Sequence, residues 1–133
     1  MTQDAEFPFE LDDAFFTTLR FNRLPELPPT LNLEFSVEVK IHEEQFPDRL
    51  QIDVRLVTPG EQPLTLLLEL VAVFTPVEGR SVPSPERLSD LVNKRALHML
   101  WPYMVQMVRQ MTAQMGMPPV NLGTPYAFHA EPE

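Results

Sequence analysis

Leu33-Glu-Phe-Ser-Val-Glu-Val-Lys-Ile-His42 carries the clearest structural pattern in the chain. Leu33, Phe35, Val37, Val39 and Ile41 alternate with Glu34, Ser36, Glu38, Lys40 and His42. Side chains of an extended chain point alternately to opposite sides, so this pattern predicts a strand with one dry and one wet face. Downstream, residues 43–48 read as a turn, and Leu50, Ile52, Val54 and Leu56 alternate with Gln51, Asp53, Arg55 and Val57. A second turn, 58–63, leads to a third strand over Leu64–Thr75. That strand is apolar on both faces, with Leu64, Leu66, Leu68, Leu70 and Phe74 on one and Leu67, Val71 and Val73 on the other; Glu69 is its one charge. A strand apolar on both sides needs cover on both sides.

Upstream, Phe15–Arg23 predicts a further strand, with Phe15, Thr17, Leu19 and Phe21 on one face and Phe16, Thr18, Arg20 and Asn22 on the other. Leu24-Pro-Glu-Leu-Pro-Pro-Thr30 follows, and three prolines in seven residues exclude both helix and ladder. The segment predicts an extended crossover that carries the chain across the sheet. On the C-terminal side, Ser84-Pro85 marks a helix start, and Leu88, Leu91, Val92, Ala96 and Met99 recur at helical spacing. Pro102 predicts a break or kink after Trp101. Tyr103–Met115 then resumes with Met104, Met107, Val108, Met111 and Met115 on one face, and Gly116 with Pro118-Pro119 stops it.

Strands followed by helices predict an α+β fold: a four-stranded antiparallel sheet with a crossover after strand 1 and two C-terminal helices on one face. The expected organisation is a single domain over 1–133, with a flexible lead (1–14), the sheet (15–75), the helices (84–117) and an extended tail (118–133). Two helices cover one face of a sheet. The apolar second face of Leu64–Thr75 therefore predicts a homo-oligomer.

The composition excludes much chemistry. There is no cysteine, so disulfides, thiol catalysis and Cys-ligated metals are out. Ten basic against nineteen acidic residues give a formal charge of −9, which a nucleic-acid backbone would repel. The four glycines, Gly60, Gly79, Gly116 and Gly123, stand too far apart for a phosphate-cradling loop. The acidic N-terminus lacks the pattern of a targeting segment, and 96–117 is too polar to span a bilayer, so a cytoplasmic protein without membrane insertion is expected. His42, His98 and His129 share no ligand spacing, Asp12-Asp13 and Glu43-Glu44 form no natural acid–base pair, and no serine sits in a nucleophile motif. The expectation is a protein that is not an enzyme and uses no cofactor or metal.

Two features stand out. Six of the seven methionines fall between Met99 and Met117, and from Trp101 to Met117 only Arg109 is charged. Such a face either fills a core or offers an adaptable apolar surface to partners, since methionine serves both uses. The crossover, with Leu24, Leu27 and Leu31, is either a stiff connector or one wall of an apolar groove.

Leu100-Trp-Pro-Tyr103, a helix of about fourteen residues, Gly116-Met-Pro118 and Val120-Asn-Leu122 together resemble the C-terminal half of the SecB export-chaperone family. Val73-Phe-Thr75 with Gly79, and Leu19-Arg-Phe21 ahead of the prolines, resemble its fourth strand and its first strand with crossover. The resemblance implies an ATP-independent holdase, assembled as a dimer of dimers, that holds unfolded polypeptides in apolar grooves and hands preproteins to the ATPase SecA. Paralogues of that family instead protect one client, such as an antitoxin. Leu24, Leu27, Trp101, Met104, Met107 and Met111 are the residues expected to line the client groove. Glu34, Glu38, Asp53 and Glu69 are the acids left on the sheet for a docking partner. The first strand differs from the export chaperones, carrying Arg20 and Arg23 where they present acids. A domain for a small hydrophobic ligand is the alternative outside this class.

Overall fold

The structure, a computed structural model, describes residues 7–29, 33–79, 81–118, 120 and 122. Four strands, β1 (Phe9–Arg23), β2 (Ser36–His42), β3 (Leu50–Val57) and β4 (Leu64–Pro76), precede a single joined helical stretch. That stretch runs as α1 (Pro85–Leu91), a π-helical turn (Val92–Ala96) and α2 (Leu97–Gln114). The sheet order is β1-β4-β3-β2, and every neighbouring pair is antiparallel. The proline segment after β1 thus takes the chain from one sheet edge to the other.

The strand pattern sorts into two faces. Leu50, Ile52, Val54 and Leu56 of β3 lie opposite Phe74, Ala72, Leu70 and Leu68 of β4, and all eight are buried. Leu88, Val92, Ala96, Leu97, Leu100, Met104 and Val108 of the helical stretch join them in one core. This face is the dry one because alternate β3 and β4 residues are all aliphatic or aromatic, and burying each such side chain contributes about 1.5–3 kcal/mol.

β1 departs from the expected pattern in three ways. It begins at Phe9 instead of Phe15, because Phe9 is buried and its ring packs at a tilt against Phe7 (centroids 5.1 Å) and Phe46 (6.1 Å). Register shifts occur between Leu11 and Asp13 and between Phe16 and Thr18. One extra residue in a strand moves all that follow to the other face. Phe15 therefore lies opposite Val71 on the outer face, while Leu19 and Phe21 lie opposite Leu68 and Leu66 on the core side. The grouping of Phe15 with Leu19 and Phe21 is corrected accordingly.

Two smaller differences follow. β2 starts at Ser36, so Glu34 precedes the strand, its N–H donating to Gln62 Oε1 at 2.8 Å. The helix does not break at Pro102, which lies inside α2. Pro102 is exposed, and α2 continues through it from Leu97 to Gln114. The irregularity sits upstream instead, at the π-helical turn, where the Leu97 N–H bonds the Val92 carbonyl. Two expected helices are one joined helix.

Candidate functional site

The apolar periodicity of α2 resolves into two rows. Leu97, Leu100, Trp101, Met104, Val108 and Thr112 are buried and face the sheet. Met107, Met111 and Met115 form a second row, four residues apart, and all three are half-buried. Met107 and Met115 pack on the edge of the core. The six residues expected to line a groove therefore separate. Met104 has no exposed surface and Trp101 retains 5%, so both belong to the core beneath the helix. Met107 and Met111 reach the surface. Leu24 is 49% exposed, and Leu27 is half-buried against the core. Leu31 lies outside the described residues.

The C-terminal end of α2 is closed by backbone geometry. Met117 N–H donates to the Thr112 carbonyl (3.0 Å) and Gly116 N–H to the Ala113 carbonyl (3.1 Å). This reciprocal pair is the Schellman stop, which needs a left-handed residue, and Gly116 supplies it with φ +71°. Arg23, the last residue of β1, reaches this end. Its Nη1 donates to the Met115 carbonyl at 2.8 Å, its Nε to the Leu24 carbonyl at 2.8 Å and its Nη2 to the Pro25 carbonyl at 2.9 Å. A cation is favourable at a helix C-terminus, where carbonyl dipoles point outward. Leu24 N–H also donates to the Pro63 carbonyl at 2.9 Å. The start of the crossover is thus held on one side by the β3–β4 turn and on the other by the helix end. Sequence reading took Arg23 only as a missing acid. The signal available was its place between a strand and a run of prolines, which offer carbonyls but no donors.

The outer face of the sheet holds the other expected residues. Arg55 lies between Glu38 (Nη1–Oε1 3.4 Å) and Glu69 (Nε–Oε2 3.6 Å), and Thr18 Oγ1 donates to Glu69 Oε1 at 2.6 Å. The chain of contacts crosses all four strands. Asp53 pairs with His42 at 2.8 Å and accepts from Gln51 Nε2 at 3.1 Å. Glu38, Asp53 and Glu69 are therefore brought to one face, each engaged with a basic or polar neighbour, and Glu34 is not among them. Leu67, Val71 and Val73 of β4 are half-buried on this face, and Phe15 beside them is 46% exposed.

A polar hollow of about 330 Å³ sits at the β2–β3 end of the same face, lined by His42, Glu44, Gln45, Arg49, Gln51 and Val73. Among the described residues no group of three or more His, Cys, Asp or Glu side chains could hold a metal ion. His129 lies outside them. No helix among the described residues is long and apolar enough to cross a membrane.

Sheet order, crossover and helix placement together allow comparison with solved structures. The chain superposes on the SecB-like chaperone Rv1957 of Mycobacterium tuberculosis, solved in complex with a ChAD peptide from the Rv1956 HigA1 antitoxin. The TM-score is 0.66 at 17% identity, over 87% of this chain and 90% of that one. The fold is SecB-like. A protein of unknown function from Streptococcus agalactiae shares the architecture less closely, with a TM-score of 0.51 at 15% identity over 86% of this chain and 96% of that one. No family model matches the sequence, and no curated protein matches it. At these identities the likeness is one of fold.

Proposed function

We propose that this protein is an ATP-independent, non-enzymatic holdase that shields an unfolded or unstable polypeptide. The observation that carries the reading is a SecB-like fold whose last helix leaves the Met107–Met111–Met115 row at the surface, next to the end where the crossover is anchored. Clients bind on Leu24, Leu27, Met107 and Met111. Trp101 and Met104 support that surface from below. Binding draws on burial of apolar client side chains, and the flexible thioethers adapt to varied shapes.

A dedicated client is favoured over general export. A docking partner that reads acids on the sheet would meet Glu38 and Glu69 already paired with Arg55, and Arg20 on the same face. The neighbour solved with an antitoxin peptide supports the same choice. The protein works as a homo-oligomer, a dimer of dimers, in the cytoplasm. Phe15, Leu67, Val71 and Val73 are an apolar patch for assembly, and nucleic acid is not a partner.

The test replaces Met107 and Met111 together by glutamate and measures suppression of aggregation of a chemically denatured client. Loss of suppression with unchanged solution mass is the expected result. Dissociation of the oligomer instead would make the methionine row an assembly interface. Affinity capture from the native host should recover one small unstable protein; recovery of SecA would restore the export reading.

A further inference from the structure

Every acceptor of Arg23 is a main-chain carbonyl. Two belong to the crossover, at Leu24 and Pro25, and two to the helix end, at Met115 (2.8 Å) and more weakly at Gly116 (3.5 Å). Ninety-two residues of sequence separate Arg23 from Met115. One planar guanidinium thus joins two segments that share no ladder. No carboxylate is paired with it among the described contacts, so its charge is met by the helix-end carbonyls. The crossover needs such an anchor. Pro25, Pro28 and Pro29 have no N–H, and the described main-chain bond of the segment is the one from Leu24 to Pro63. Leu24 and Leu27 follow directly on the anchor, and Met111 lies one helical turn before Met115.

We infer that Arg23 is a positioning residue, a staple that sets the spacing between the crossover and the C-terminal end of α2 and with it the width of the apolar surface between them. The inference rests on the chaperone reading for what that surface does, but not for the staple itself. A lysine could keep the charge at the helix end. It could not reproduce the fork, which needs three nitrogens in one plane to span both segments.

Hydrogen exchange on the full-length protein and its Arg23→Lys and Arg23→Ala variants tests this, together with affinity for a permanently unfolded, carboxymethylated protein. Charge-assisted bonds of this kind predict about tenfold faster exchange once lost. The increase should fall at Leu24 and Met115–Met117 in both variants, leave the central amides of β4 unchanged, and accompany a several-fold weaker client affinity. Full restoration by lysine would overturn the inference, because charge at the helix end would then suffice. So would faster exchange throughout β4, which marks global destabilisation. Local exchange changes with unaltered client affinity would overturn the role in spacing the surface. If the unmodified protein bound no unfolded client, the chaperone reading would fall, and the exchange pattern would still decide the staple.

Discussion

Met104→Ala separates the core from the proposed client surface. Met104 has no exposed area and belongs to the core cluster shared by the sheet and the helical stretch. Truncating a buried methionine to alanine removes its transfer energy and leaves a cavity, at a cost of about 2–5 kcal/mol. Unfolding entropy of about 2.1 cal/mol/K per residue gives about 0.28 kcal/mol/K for a chain of 133 residues. A loss of about 3 kcal/mol then lowers the melting temperature by about 11 °C. Met107→Ala removes a half-buried side chain at the edge of the same core and should cost less than about 1.5 kcal/mol, or roughly 5 °C. The assay is thermal unfolding followed by circular dichroism at fixed protein concentration, because assembly couples stability to concentration. Client affinity is measured alongside it, well below both transitions. Met104→Ala should lower the transition and leave affinity within twofold, whereas Met107→Ala should do the reverse. A Met104→Ala transition within about 3 °C of the parent would refute the burial argument. A Met104→Ala protein that is folded yet loses as much affinity as Met107→Ala would refute the division between core and surface rows.

Further outcomes follow from single contacts. Gly116→Ala places a Cβ at φ +71° and should cost about 1 kcal/mol, read as a lower denaturant midpoint with unchanged slope. Thr58→Val removes the buried hydroxyl that accepts the Leu66 N–H at 3.0 Å and should cost about 1–3 kcal/mol in the same titration, more than a near-isosteric change elsewhere would. Arg55→Gln breaks both outer-face ion pairs, which are part-exposed, and should change stability by less than about 1 kcal/mol, with the difference vanishing at high salt. Among the described methionines, mild hydrogen peroxide should oxidise Met99 first, at 41% exposure, then Met107 and Met111, and Met104 last, as read by peptide mass mapping.

The strands from Ser36 to Pro76 and the crossover were legible because their information is local: period-two alternation and prolines without donors act within a few residues. β1 was legible as a strand but not in its facing. Its two bulges are set by pairing with β4, and no feature of Phe15–Phe16–Thr17–Thr18 announces which residue will be left unpaired. Pro102 misled for a related reason. A proline inside a helix commonly ends or kinks it, but here the flanking residues Leu100, Trp101 and Met104 are buried in the core and α2 continues through Pro102.

The candidate site divides along the same line. The methionine spacing alone determined that α2 would carry a wide apolar face, wider than a core of this size can absorb. Only the packing of that face into the common core decided that Met104 went inward while Met107 and Met111 stayed at the surface. Arg23 was beyond the reach of sequence altogether. Its partners are main-chain carbonyls, which every residue has, so their identity depends wholly on which segments the fold brings within about 3 Å. Composition and alternation determined that this chain would be an α+β protein with apolar surface to spare. Tertiary structure decided which of those apolar residues stay at the surface and which segments Arg23 joins, because burial and long-range hydrogen bonds exist only once distant segments meet.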